Sequence, residues 1–138
     1  MDQKNIVVEK SLDFGVGIVR FCELLEEKKK YVVAKQLLRS GTSIGANVFE
    51  AQHAESKADF IHKMKVAVKE ANETLFWLSI CERIESYPVN NSLREILLEL
   101  IKLISKIIIS TKKKLGINFA FGTISMLTIK IKTVLLGG

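Results

Sequence analysis

The sequence predicts an all-α protein, an antiparallel up-down-up-down four-helix bundle over residues 1–115 with an irregular C-terminal tail over 116–138. Three observations carry this. Apolar residues make up 48% of the 138 positions, enough for one real core without disulfide or metal staples. There is a single proline, Pro88, which leaves long helices uninterrupted. Apolar residues recur in steps of three and four along four successive stretches joined by short breaks, and short connections favour antiparallel neighbours.

The first helix is expected from about Ser11 to Glu27, with Ser11 as N-cap and Leu12, Val16, Val19, Cys22 and Leu25 on its buried face. A charged break at Glu26–Lys30 follows. The second spans about Tyr31 to Ala54. Ala34, Leu37, Gly41, Ile44, Val48 and Ala51 form one row, and Leu38, Gly45 and Phe49 a second beside it. Two rows imply neighbours on more than one side. Gly41 and Gly45 each cost a helix interior about 1 kcal/mol relative to alanine. Close approach of another helix is the expected offset.

The third helix is expected from about Ser56 to Glu85. Ser56-Lys57-Ala58-Asp59 resembles a capping box, and Phe60, Met64, Ala67, Ala71, Thr74, Leu78 and Cys81 keep the four–three step of a bundle seam. Pro88 follows its end. The fourth is expected from about Ser92 to Leu115, opened by a capping box at Ser92-Leu93-Arg94-Glu95. Its seam is Leu93, Leu97, Leu100, Ile104, Ile107 and Thr111. Ile96, Ile101, Leu103 and Ile108 widen the apolar face beyond what one core needs, which points to a partner or oligomer interface. Gly116 suits a helix C-cap, with Lys112, Lys113 and Lys114 at the negative helix end. In the tail, Thr128–Val134 alternates as a short strand would. The apolar stretch Leu115–Leu136 is cut by Gly122, Lys130 and Lys132, so no membrane span is expected.

Charge is unevenly placed. Residues 1–99 hold 14 Lys/Arg against 15 Asp/Glu, whereas residues 100–138 hold seven lysines and no acid. The basic excess suggests an anionic partner, or a solvated lysine face. If that partner is RNA or DNA, phosphates are met by two clusters. One is Lys28, Lys29, Lys30, Lys35 and Arg39; the other is Lys102, Lys106, Lys112, Lys113 and Lys114. An antiparallel bundle places them towards opposite ends.

Catalytic patterns are weak. Glu50-Ala51-Gln52-His53 and Asp59-Phe60-Ile61-His62 resemble half of a carboxylate-bridged di-metal site. Both fall at the bundle end where the other helices offer only Asp13 and lysines, so no metal, cofactor or catalytic site is expected. No nucleophile elbow or phosphate loop is present. Two cysteines, Cys22 and Cys81, form no close pair and suit a reducing cytoplasm. Glu70, Asn72 and Glu73 lie within one turn beside Lys69, as a solvated or interface face. Ser40, Ser43, Asn47 and Glu50 form a polar row, facing solvent or bonding to a neighbouring helix or subunit. Trp77, beside Leu75 and Phe76, is a candidate for subunit contact or base stacking.

The run Gln36–Val48 (Gln-Leu-Leu-Arg-Ser-Gly-Thr-Ser-Ile-Gly-Ala-Asn-Val), then Glu50-Ala51, Ser56–Phe60, Lys69–Thr74 and Trp77-Leu78, resembles the four-helix-bundle proteins encoded in intervening sequences of bacterial 23S rRNA genes. The accessory variability determinant proteins of diversity-generating retroelements are similar. The resemblance covers roughly residues 5–115 and implies a homo-oligomer, with a pentamer favoured, no enzyme activity, and association with nucleic acid or a reverse-transcriptase-like protein. It stops at the tail, and Phe49 is more apolar than that pattern leads one to expect. Two functions compete: a non-enzymatic oligomeric module binding nucleic acid, and a purely protein-interacting assembly scaffold.

Overall fold

The computed structural model describes residues 3–116, with side chains from residue 6 onward. Four helices fill this span: α1 (Gln3–Glu27), α2 (Tyr31–Ala51), α3 (Lys57–Arg83) and α4 (Asn91–Gly116). Each packs on the next, and α1 closes on α4, so α1 and α3 stand diagonally. Paired residues fix the directions. Moving up α2 from Gly41 to Gly45 moves down α1 from Ile18 to Ser11. Arg39 reaches Glu70 on α3, Arg94 of α4 reaches Glu82, and Lys10 of α1 reaches Glu99 of α4. Every neighbour is antiparallel. The core is one cluster that includes Phe14, Ile18, Leu25, Leu37, Ile44, Met64, Leu97, Leu100 and Ile104.

On α3 and α4 the apolar rows face the core as the sequence pattern implies. All seven α3 seam residues are buried, as are Leu93, Leu97, Leu100, Ile104 and Ile107 of α4. Thr111 is half-buried and Ile96 is 41% exposed. On α2 the first row is buried throughout. The second divides: Gly45 is buried, but Leu38 and Phe49 are 37% and 44% exposed. Gly41 and Gly45 do lie inside one continuous helix. A Cβ on Gly41 would stand 2.8 Å from two Ile18 side-chain carbons, and one on Gly45 would stand 3.3 Å from the Ser11 carbonyl oxygen. Gly17 does the same for α4, where a Cβ would meet Leu93 Cδ2 at 2.7 Å.

Helix α1 departs from expectation. It starts two turns earlier, and Ser11 is not its N-cap but a fully buried mid-helix residue whose hydroxyl donates to the Val8 carbonyl at 2.9 Å. The buried row is Val7, Ser11, Phe14, Ile18, Cys22 and Leu25, whereas Leu12, Val16 and Val19 are 46%, 44% and 38% exposed. A serine inside the true row made the neighbouring all-apolar stripe look like the core. Caps differ too. Ser56 caps α3 by accepting from the Asp59 N–H at 3.0 Å, but the Asp59 carboxylate accepts from Glu55 N–H, one residue before the usual box partner. On α4 the cap is Asn90, whose side-chain oxygen accepts from Leu93 N–H at 3.1 Å, and Ser92 is already helical. Gly116 is the last residue of α4, and no glycine among the described residues has positive φ. That conformation is instead taken by Lys29 (φ 60°), in the α1–α2 turn. There Lys30 N–H bonds to Leu25 O and Lys29 N–H to Glu26 O, the paired closure of a Schellman end. The expected tail and its strand lie outside the described residues.

The Asp59 cap has a pH signature. The Glu55 N–H and the Lys63 ammonium hold its carboxyl below the ordinary 3.8. A group depressed on folding stabilises above its unfolded pKa, and that contribution is lost as pH falls through the folded value. Asp59→Asn is therefore expected to lower the melting temperature slightly at pH 7, by an amount that shrinks as pH is taken below the ordinary carboxylate range, as read by circular dichroism melts.

Candidate functional site

The expected site residues divide into those with structural partners and those left free to meet another molecule. Arg39 is engaged: its guanidinium pairs with Glu70 at 3.3 Å and with Glu73. Glu73 also accepts from the Trp77 indole N–H at 3.4 Å. Lys30 is half-buried, with its ammonium 4.8 Å from the centre of the Tyr87 ring. Of the first basic cluster, Lys28, Lys29 and Lys35 remain exposed without such ties. The polar row of α2 separates in the same way. Ser40 is fully buried and takes a 3.0 Å hydrogen bond from Thr74 across the α2–α3 contact. Ser43 and Asn47 bond to carbonyls of their own helix, and Glu50 is exposed.

The second cluster keeps its freedom and gains members. Lys102, Lys106, Lys112, Lys113 and Lys114 are all exposed. The neighbouring, like-charged Lys65 ammonium of α3 holds the Lys112 ammonium below its ordinary 10.5. The two α3 acids nearest this region are turned elsewhere, Asp59 to Lys63 and Glu70 to Arg39. At the adjoining end of the bundle, Lys57 and Lys114 flank a small pocket floored by Phe60 and Ala51 and edged by Gln52 and Thr111. Lys57 and Lys65 were not legible as site residues, because alignment of α3 on α4 depends on the true cap of α4. As expected, the clusters occupy opposite ends of an antiparallel bundle.

Two apolar surfaces are also open. A groove of about 520 Å³ runs between α1 and α2, lined by Leu12, Gly15, Val16, Val19 and Phe49 among others. On the outer face of α3, Phe76 is 54% exposed and packs edge-to-face on Trp77, ring centres 5.1 Å apart.

Among the described residues no group of three or more His, Cys, Asp and Glu is placed to hold a metal, and no helix is long and apolar enough to cross a membrane. Both thiols are buried. Burial, then Glu26 and Cys81, pushes Cys22 up to about 12, and burial raises Cys81. Since the thiolate is the reactive form, neither is placed as a nucleophile.

A family model described as 23S rRNA-intervening sequence protein matches residues 3–110. A solved structure of a protein of unknown function from the S23 ribosomal protein family of Bacteroides thetaiotaomicron is 47% identical. The match covers 78% of this chain and 98% of that one, with a TM-score of 0.71. No curated protein matches.

Proposed function

This chain belongs to the 23S rRNA-intervening sequence protein family, and from that footing we propose that it is a non-enzymatic, cytoplasmic, homo-oligomeric binding module whose lysine face meets the phosphates of RNA or DNA. A pentamer is the leading assembly, and a reverse-transcriptase-like protein is a further partner in keeping with the resemblance. The observation that carries the reading is the set of five exposed lysines on α4, Lys102, Lys106, Lys112, Lys113 and Lys114, along a stretch with no acid from Leu100 to Gly116, with Lys65 of α3 beside Lys112. Like charges held together without a carboxylate raise the local positive potential and favour a mobile anion. Lysine supplies a point charge rather than a base-reading fork, so contacts go to the backbone and carry no sequence preference.

The test is filter binding of unrelated RNA and DNA duplexes and single strands. With about four phosphates neutralised, affinity should fall roughly a hundredfold between about 50 and 200 mM salt. Replacing Lys112, Lys113 and Lys114 with glutamine should weaken binding about equally for all sequences and flatten that slope. If no nucleic acid binds at micromolar protein and about 50 mM salt, the chain is an assembly scaffold instead, a reading that the two open apolar surfaces favour.

A further inference from the structure

Where the lysine face ends, the bundle opens a concavity whose lining is unlike that of the others. The groove between α1 and α2 and the hollow beside Phe76 are mainly apolar. The pocket at the end of the bundle, about 320 Å³, has an apolar floor of Ala51, Ala54 and Phe60 beneath a polar rim. That volume sits at the lower end of the range that holds small organic ligands, roughly 300 to 1,000 Å³.

The rim has hydrogen-bonding capacity to spare. The Gln52 amide donates to Val48 O at 2.9 Å, which leaves its carbonyl oxygen and a second N–H. The Thr111 hydroxyl donates to Ile107 O at 2.8 Å, and its oxygen can still accept. The Ser56 hydroxyl accepts from Asp59 N–H at 3.0 Å, and its proton can still be donated. An apolar floor with donors and acceptors at its edge matches a nucleobase, which has an apolar face and a polar edge.

Charge leads to the same place. Lys57 and Lys114 stand at the pocket. Eight residues along α3 from Lys57, about 12 Å, is Lys65, which lies beside Lys112 of α4. All four lysines are exposed. In the segment that frames the pocket, Glu50 and Glu55 are exposed, and Asp59 is taken up by Lys63 and by Glu55 N–H. Two pairs of cations therefore outweigh the acids, one pair on the face and one at the pocket.

We infer that this pocket receives an unpaired base of single-stranded nucleic acid, with the flanking phosphates on Lys57 and Lys114 and on Lys65 and Lys112. A base within a duplex is stacked and paired, and enters only if it is flipped out against both. Because the rim offers donors and acceptors alike, it holds any base and selects the type of strand rather than the sequence. This inference rests on the nucleic-acid reading and adds to it the class of strand.

The experiment is filter binding with the full chain at about 50 mM salt. Three probes of equal length are compared: a single strand of mixed sequence, a blunt duplex of that sequence, and an abasic strand, which keeps the phosphates and lacks the bases. The single strand should bind about tenfold more tightly than either of the others, within what one held base contributes. Ala54→Phe fills the pocket and should abolish that advantage. Lys102→Gln, on the face but away from the pocket, should weaken binding of all three probes and preserve the advantage. If no probe binds, the nucleic-acid reading and this inference fall together. If wild type binds the duplex or the abasic strand as tightly as the single strand, or if the advantage persists in Ala54→Phe, the nucleic-acid reading stands and the pocket is overturned. Should Ala54→Phe lose its helical circular dichroism signal, Gln52→Leu takes its place. It removes part of the polar rim at nearly constant size and should cut the advantage, and an undiminished advantage overturns the pocket in the same way.

Discussion

Gly45→Leu is expected to destabilise the protein by about 3 kcal/mol or more, at the upper end of what overpacking does. The reason is what lies opposite. A new Cβ at Gly45 already stands 3.3 Å from the Ser11 carbonyl oxygen, and a backbone atom inside α1 cannot turn aside as a side chain can. The remaining carbons of leucine must start from that crowded contact before they can reach the groove that Gly45 lines. Gly41 faces Ile18, whose branch carbons would stand 2.8 Å from a Cβ. Ile18 is fully buried and β-branched, with little rotamer freedom. Even Gly41→Ala should therefore lower stability, although the same change at an unobstructed helix position raises it by about 1 kcal/mol. Thermal melts followed by circular dichroism check both. An unchanged melting temperature for Gly45→Leu would mean that α1 and α2 do not approach as described.

Lys112→Glu is expected to move stability and binding in opposite directions. In the fold it places a carboxylate beside Lys65, replacing a like-charge contact with an attractive one, so the melting temperature should hold or rise. On the lysine face it removes one cation and adds one anion. Nucleic-acid affinity at about 50 mM salt should fall roughly tenfold or more, and the number of phosphates counted from the salt slope should drop by about one. Filter binding and calorimetry on one preparation test the pair of effects. Binding that survives the change would place the phosphate contacts elsewhere, and a melting temperature that falls for Lys112→Glu but not for Lys113→Glu would mean that Lys65 and Lys112 are not neighbours, the helix-end cost being common to both.

How much of this was legible depends on the element. The seam of α3 could be read residue by residue, because its single polar member, Thr74, keeps the period and did not divert the reading. Helix α1 failed for the converse reason. Ser11 sits in the buried row, and the outward stripe Leu12–Val16–Val19 is more apolar than an outward stripe usually is. That stripe lines the open groove between α1 and α2, and periodicity within one chain cannot separate an apolar groove from core packing. The two glycines of α2 signalled close approach correctly, since helix-interior glycine is costly unless something uses the space. The basic cluster was half legible. An acid-free run of lysines on α4 stands out in one dimension, while Lys65 joins it only through the alignment of α3 on α4. The fate of Arg39 was hidden for the same reason, its two carboxylates being 31 and 34 residues away.

The hydrogen bond between Ser40 and Thr74 has a consequence for which alignment of α2 on α3 is reachable at all. A seam of alternating four and three steps repeats every seven residues, so sliding α3 by seven along α2 sets apolar rows against apolar rows once more. By burial alone the slid arrangement is a near-twin of the native one. The hydroxyls break that degeneracy. Slid by seven, Ser40 would face Ala67 or Cys81 rather than Thr74, and Arg39 would leave at least one of its two carboxylates behind. Each stranded hydroxyl then costs on the order of 1 kcal/mol, a penalty kept low because a carbonyl of its own helix, Glu70 for Thr74 and Leu37 for Ser40, is within reach to take its proton. Two such penalties and a broken ion pair amount to a modest energy, but one that falls only on the wrong alignment. The pair therefore acts less as glue than as a key, selecting one of several similar packings while adding little to the strength of the one selected.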